Sequence, residues 1–133
     1  MTFKQCKAQL VQLYGGREAE RIIFGEDDIT TGATGDIKAA TELARRMIEE
    51  FGMSKKLGQV DLGNRELLSS STVREIDIEI RRLTQEAQEK ANCILSGHRV
   101  ELDAIAEALL SRETLSGSEI RDTAANARPS HHL

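Results

Sequence analysis

Asp36 is the residue whose type and setting most favour metal chemistry in this chain. It follows the Thr- and Gly-rich run of residues 30–35 and stands at the predicted start of a helix. A carboxylate there could bind zinc, but zinc hydrolases usually hold the metal through three protein side chains and leave a fourth position for water. A negative charge in the first turn of a helix also complements the helix dipole, by about 0.3–1 kcal/mol. From the residues alone, the dipole is the simpler explanation.

The histidines do not complete a zinc site. The chain has three of them, His98, His131 and His132, and no two are four residues apart, as the pair on a zinc-binding helix would be. The segment that begins at His98 opens an inverted HxxEH pattern, but Leu102 occupies the position of the second histidine. We therefore expect His98 in a surface turn, no catalytic residue and no zinc bound by this chain.

Composition excludes several classes of protein. The 133 residues are enough for one domain, and the 39% hydrophobic and 30% charged residues are typical of a soluble protein. The net charge of −4 is spread along the chain without a basic patch, which argues against nucleic-acid binding. The sequence has no apolar run of about 18 residues and no signal peptide at its start. Cys6 and Cys93 form no CxxC motif, so we expect reduced thiols and a cytoplasmic compartment.

Apolar periodicity predicts an all-α fold, a multi-helix bundle with a long C-terminal helical hairpin. A first helix begins near Phe3 and is expected to end or bend at Gly15-Gly16, and a short second helix follows up to Gly25. The next helix runs from Asp36 to Gly52. Its predicted core face is Ile37, Ala40, Ala44, Met47, Ile48 and Phe51.

Residues 54–71 are predicted to form an extended loop, with a short strand over residues 59–62 as the alternative. Thr72 and Glu75 have the spacing of a capping box that would open a long helix ending at Gly97. Its predicted core stripe is Val73, Ile76, Ile80, Leu83, Ala87, Ile94 and Leu95, with Glu79 among the charged residues of its other faces. One more helix follows, and a second capping box at Ser116 and Glu119 predicts a last short helix. We expect a single domain over residues 1–125 and a disordered tail over residues 126–133.

Four runs of residues resemble, in order, the motifs of one family. They are the glycine pair and helix at 15–25, the TTGA-x-x-D segment at 30–36, the FGMS segment at 51–58 and the Glu-Thr-Leu segment at 113–121. Together they resemble the FtsH-type ATP-dependent zinc metallopeptidases over about residues 8–122. Gly35 stands where that family usually has Asn, and Gln59 where it often has Pro.

The resemblance implies a helical peptidase domain behind a membrane anchor and an AAA ATPase, in hexamers that degrade polypeptides. In that family an upstream HExxH helix supplies two zinc ligands and a catalytic glutamate, and the aspartate of the TTGA-x-x-D segment supplies the third ligand. Asp36 matches that aspartate, and Glu20 matches an acidic position near the metal, where it would orient a ligand rather than bind zinc.

Neither an HExxH sequence nor a Walker A sequence occurs in the 133 residues. A lone carboxylate cannot hold zinc, so we expect the isolated chain to be an inactive part of a zinc metallopeptidase domain. The alternatives are a non-catalytic scaffold that joins or regulates full-length hexamers, and an unrelated helical interaction module. The expected partners are polypeptides and a homo- or hetero-oligomer, without nucleic acid, and membrane contact would come only through partners.

Overall fold

Five α-helices make up most of the described chain, which comprises residues 1–112 and 117–127 of a computed structural model. They are α1 (Phe3–Phe24), α2 (Thr34–Glu49), α3 (Ser70–Ser96), α4 (Arg99–Arg112) and α5 (Gly117–Ala127), with short 3-10 turns at Glu26–Asp28 and Arg65–Leu67. No strand forms within these ranges, so the all-α prediction is confirmed. In the same residues no helix is both long and apolar enough to cross a bilayer.

The core lies where α1, α2 and α3 meet. Small side chains of α2, Ala40 and Ala44, are fully buried and allow the helices to approach closely. Larger side chains from all three helices fill the remaining space, each recurring at the three- or four-residue spacing that keeps a helix face inward. The buried members are Cys6, Leu10, Tyr14, Ala40, Ala44, Met47, Ile48, Leu62, Ile76, Ile80, Leu83, Ala87 and Ala91.

The prediction that a first helix ends at Gly15-Gly16 and that a short second helix follows was wrong. The helix runs through both glycines, and its true end is Gly25, which has a φ of 83°. Glycine costs a helix roughly 1 kcal/mol relative to alanine, a penalty that tertiary packing readily outweighs. Tyr14 and Glu18 are buried on either side of the pair, so the helix is packed before and after it.

The core face predicted for α2 is correct except at its end. The helix stops at Glu49, and Gly52 reverses the chain with a φ of 61°. Met53 then donates its backbone N–H to the carbonyl of Met47 at 2.9 Å. Beyond the helix, Phe51 is 42% exposed and lies under the guanidinium of Arg46, 5.2 Å from the ring centroid.

The strand considered for residues 59–62 does not form. No extended segment lies beside it in the described chain, and the only ladder contact there is an isolated bridge between Ser54 and Gly58. The segment is anchored instead to the end of α2, because the backbone N–H of Leu62 donates to the carbonyl of Glu49 at 2.8 Å.

α3 begins earlier than predicted. Its N-cap is Ser69, whose hydroxyl accepts the backbone N–H of Thr72 at 3.2 Å, so Thr72 lies inside the helix. Two assignments on the helix faces were also wrong. Ile94 is 45% exposed while Ala91 is buried, and Glu79 is only 5% exposed although it was placed on the charged surface.

The C-terminal helices follow the turn at Gly97 and His98. α4 contacts α5 more extensively than it contacts α1 or α3. Asn126 and Ala127, assigned to the tail from the sequence, belong to α5. The capping residue Ser116 and residues 128–133 lie outside the described residues.

Candidate metal centre

Asp36 is the third residue of α2, and its side chain is exposed. The helix begins after Ala33, which offers no side-chain cap, and its first backbone bond joins the N–H of Ile37 to the carbonyl of Ala33 at 3.0 Å. The carboxylate therefore stands at the positive end of the helix dipole, where a negative charge is favoured whether or not a metal is bound.

The loop before Asp36 is held by threonines. Thr34 makes two bonds to the carbonyl of Thr31, from its backbone N–H at 3.1 Å and from its hydroxyl at 2.7 Å. The N–H of Gly32 donates to the hydroxyl oxygen of Thr30 at 3.2 Å. A Cβ added at Gly35 would meet no atom within 4 Å, so the backbone there leaves space for a β-carbon.

Glu20 is tied to this loop from α1. The hydroxyl of Thr30 donates to Oε1 of Glu20 at 2.5 Å. This bond links the C-terminal part of α1 to the start of the TTGA segment. Oε2 of Glu20 is shielded from solvent and has no hydrogen-bond partner among the described residues. The same carboxylate borders an apolar groove of about 350 Å³ between α1 and α4. Its other lining residues are Ala19, Ile23, Phe24, Leu102, Ile105 and Ala106.

The described residues do not complete a metal site around Asp36. In residues 1–108 and 121–127, whose side chains the structure describes, no three His, Cys, Asp or Glu side chains cluster so that they could hold an ion. His98 is in the turn between α3 and α4, as predicted, with its Nδ1 3.6 Å from Oε2 of Glu101. His131 and His132 lie outside the described residues. One carboxylate therefore fits a ligand position, but these residues alone do not fit a zinc ion.

Three carboxylates are buried in the structure although the sequence did not predict it. Glu18 is 4% exposed and accepts from the side-chain amide of Asn92 at 3.1 Å. Glu49 accepts from Arg65 at 3.0 Å, and Glu79 accepts from Ser54 at 3.2 Å. Each joins segments distant in the sequence, so local pattern alone could not reveal the partners. A signal existed for Glu79, which is three residues after Ile76 and four before Leu83 on the core stripe.

The charge on Glu79 is stabilised where it is buried. Hydrogen bonds from the Arg82 guanidinium, the largest contribution, and from the Ser54 hydroxyl lower the pKa of Glu79, although burial opposes them. The Nη2 atom of Arg82 is 2.8 Å from the carboxylate. Glu79 is thus an anionic anchor for the 52–58 segment, and its chemistry is structural rather than metal-binding.

Comparison with known proteins identifies the family. The model of Peptidase family M41 matches residues 1–123, nearly the whole chain. The chain belongs to that family. The match includes α1, the Thr30–Asp36 loop, α2 and α3, so the elements that position Asp36 and Glu20 all lie within this M41 segment.

Proteins similar to the M41 segment come from bacteria and animals. It is 50% identical over 128 residues to the ATP-dependent zinc metalloprotease FtsH of Akkermansia muciniphila, covering 86% of the chain and 16% of that relative. It is 47% identical over 120 residues to the ATP-dependent zinc metalloprotease YME1L1 of Mus musculus, covering 90% of the chain and 17% of that relative. It is 37% identical over 141 residues to the ATP-dependent zinc metalloprotease FtsH of Chloroflexus aggregans, covering 96% of the chain and 22% of that relative. The chain thus spans less than a quarter of the length of these relatives.

Proposed function

We propose that this M41 segment is the Asp36-bearing part of an FtsH-type zinc metallopeptidase domain, and that the 133-residue chain alone does not hydrolyse peptides. The observation that carries the proposal is the placement of Asp36, exposed in the first turn of α2, with no group of three metal-binding side chains in the described residues. Each ligand offsets part of the cost of stripping water from the ion, so one carboxylate leaves zinc bound weakly.

Glu20 supports this proposal from the neighbouring helix. One of its oxygens is fixed by Thr30 and the other is shielded and free of a partner among the described residues. A carboxylate so placed suits the orientation of an incoming ligand, such as the N–H of a zinc-binding histidine, better than direct coordination. We therefore propose that Asp36 binds the metal and that Glu20 orients another of its ligands.

The chain would act by offering Asp36 to a histidine-bearing segment. Zinc would then supply a bound water of lowered pKa and polarise the peptide carbonyl. The substrates would be polypeptides, as for the zinc metalloproteases to which the chain is similar. We place residues 1–125 in one domain, working in the cytoplasm and at a membrane only through partners.

The test is metal binding with and without the missing ligands. The purified chain should bind less than one zinc per molecule and leave casein intact. When it is mixed with, or fused to, the HExxH-bearing part of the Akkermansia muciniphila FtsH peptidase domain, zinc should bind with one ion per chain. Asp36→Asn should abolish this binding, whereas Asp28→Asn, at an exposed acid of the preceding turn, should not.

Two results would contradict the proposal. One is a firmly bound zinc on the isolated chain, and the other is full zinc affinity in the complemented Asp36→Asn variant. Zinc binding in the complemented wild type without any casein cleavage would favour the second candidate, a non-catalytic scaffold. A scaffold would need a packed core, and the core of α1, α2 and α3 favours that candidate as the alternative.

A further inference from the structure

A groove with positively charged edges lies beside the first turns of α1, away from the candidate metal centre. It encloses about 860 Å³ between the start of α1, the 52–59 segment and α3. Lys7 precedes Glu20 by more than three turns of α1, so about 20 Å of helix, at 1.5 Å per residue, separates the groove from that carboxylate. We call it the cationic groove and define it by Phe3, Lys7, Met53, Lys55, Lys56 and Leu83.

The cationic groove is positive because its own carboxylates are already bound. Glu79 and Glu86 both pair with Arg82, at 2.8 and 3.0 Å. The three groove lysines are exposed, and no carboxylate of the described chain lies within ion-pair distance of them. Four cationic and two anionic side chains line the groove, so it is positive within a chain whose net charge is −4.

The turn that carries two of the groove lysines is held in place before any partner arrives. The backbone N–H of Gly58 donates to the carbonyl of Ser54 at 2.9 Å, and that of Leu57 donates to the Ser54 hydroxyl oxygen at 3.2 Å. The same hydroxyl donates to Glu79 at 3.2 Å, and both Ser54 and Glu79 are buried. Because this backbone is already ordered, binding through the lysines costs less conformational entropy than it would from a mobile loop.

The inner surface of the cationic groove is apolar. Leu83 is buried there and Met53 is half-buried, while Phe3 at the edge is 43% exposed. The Nζ atom of Lys7 lies 5.2 Å from the centroid of the Phe3 ring, so aromatic and cationic groups adjoin. A ligand that matches this surface must present an apolar side chain between negative charges.

We propose that the cationic groove binds an acidic segment of a different protein, in which an aromatic or aliphatic side chain is flanked by carboxylates. The apolar side chain packs against Met53, and the carboxylates face Lys55 and Lys56. A polypeptide is favoured over a membrane because the lysines border a concave groove, whereas a bilayer surface suits the exposed face of an amphipathic helix. The net charge of −4 disfavours nucleic acid. The proposal uses neither Asp36 nor zinc and is independent of the proposed function.

The test is fluorescence anisotropy of a labelled peptide, Gly-Glu-Glu-Phe-Glu-Glu-Gly, titrated with the full chain. One control peptide has Gln in place of every Glu, and the other has Ser in place of Phe. At about 0.05 M salt each control should bind about tenfold more weakly or worse, because it lacks either the charge or the apolar side chain. Raising the salt to about 0.5 M should weaken the acidic peptide by a similar factor.

Matched charge variants locate the contact. Lys55→Glu with Lys56→Glu should weaken binding of the acidic peptide by about tenfold or more. The control Lys38→Glu with Arg74→Glu makes the same change in net charge at exposed residues outside the groove, and it should keep most of the affinity.

A second matched pair tests the apolar part of the contact. Phe3 and Phe24 are exposed to a similar extent, 43% and 49%, at opposite ends of α1. Phe3→Ala should weaken binding of the acidic peptide, because its ring borders the groove, whereas Phe24→Ala should not.

Charge reversal of both partners decides the matter. The Lys55→Glu, Lys56→Glu variant should bind a peptide with Lys in place of every Glu more tightly than the wild type does, and this gain also shows that the variant is folded. A wild type that does not bind the acidic peptide, a Gln peptide that binds equally well, a charge control that loses as much as the groove variant, or no gain on reversal would overturn the proposal. So would binding to phosphatidylserine vesicles through the groove lysines without binding to the peptide.

Discussion

The hydroxyl of Thr30 donates a hydrogen bond to Oε1 of Glu20, and this bond joins α1 to the loop that leads into α2. Ten residues separate the two along the chain, so the bond closes the turn that contains the acidic 3-10 segment. Because Thr30 also accepts the N–H of Gly32 at 3.2 Å, one hydroxyl orders both Glu20 and the backbone just before Asp36.

Thr30→Val should therefore destabilise the chain by about 1 kcal/mol, the usual net worth of such a hydrogen bond. The substitution keeps the shape of the side chain but leaves both carboxylate oxygens of Glu20 without a hydrogen-bond partner among the described residues. Urea unfolding followed by circular dichroism measures the change. Thr31→Val is the matched control, because the Thr31 hydroxyl makes no hydrogen bond to another described residue. A loss of equal size there would contradict the role of Thr30.

Glu79 should make stability depend on pH. Its pKa is lowered from the usual 4.5, chiefly by Arg82, so the folded state holds the charged form more favourably than the unfolded state does. The stabilisation is complete above pH 4.5 and is lost as the pH falls through the lower pKa of the folded state. Acid titration of the urea midpoint should show this loss.

Glu79→Gln should remove that component of the pH dependence. At neutral pH we expect a cost of about 1–2 kcal/mol, because the bonds from Arg82 and Ser54 lose their ionic character. The difference from the wild type should shrink below pH 4.5. Glu42→Gln, at an exposed pair with Arg45, is the control and should change little. A Glu79→Gln deficit that stays constant down to the acid transition would refute the assignment.

The sequence revealed most of α2 and α3 because their apolar periodicity agrees with their burial. Ile76, Ile80 and Leu83 were predicted in the core and lie there. The errors occur where tertiary contacts override local preference. Packing of Tyr14 and Glu18 carries α1 through its glycines, and a partner 25 residues away allows Glu79 to be buried.

The candidate metal centre was predictable only in part, for a related reason. The TTGA segment placed Asp36 at a helix start from local sequence alone, and the structure has it there. The hydrogen bond from Thr30 to Glu20 depends on how α1 packs against the loop, so the local sequence pattern did not predict it. Which other side chains meet Asp36 depends on how segments pack in space, and the TTGA-x-x-D motif does not encode that packing.

The two isoleucines at 76 and 78 should respond differently to truncation. Ile76 is fully buried and Ile78 is 47% exposed on the same helix, so helix propensity changes equally in both. Ile76→Ala should cost about 2–5 kcal/mol through lost burial and the cavity left behind. Ile78→Ala should change stability by less than about 1 kcal/mol. Urea denaturation of both variants measures this, and similar losses would show that the α1–α2–α3 core is wrongly placed.

Two glycines should give opposite results when replaced by alanine. Gly16 lies in the middle of α1, and a Cβ added there would meet no atom within 4 Å. Gly16→Ala should therefore stabilise the chain by about 0.5–1 kcal/mol, because alanine loses less backbone entropy in a helix. At Gly52 the φ of +61° disfavours any side chain, and a new Cβ would lie 3.0 Å from the Cα of Gln59. Gly52→Ala should lower stability by more than about 1 kcal/mol. Thermal unfolding of both variants measures the pair, and a lower midpoint for Gly16→Ala would mean that α1 is not continuous through its glycines.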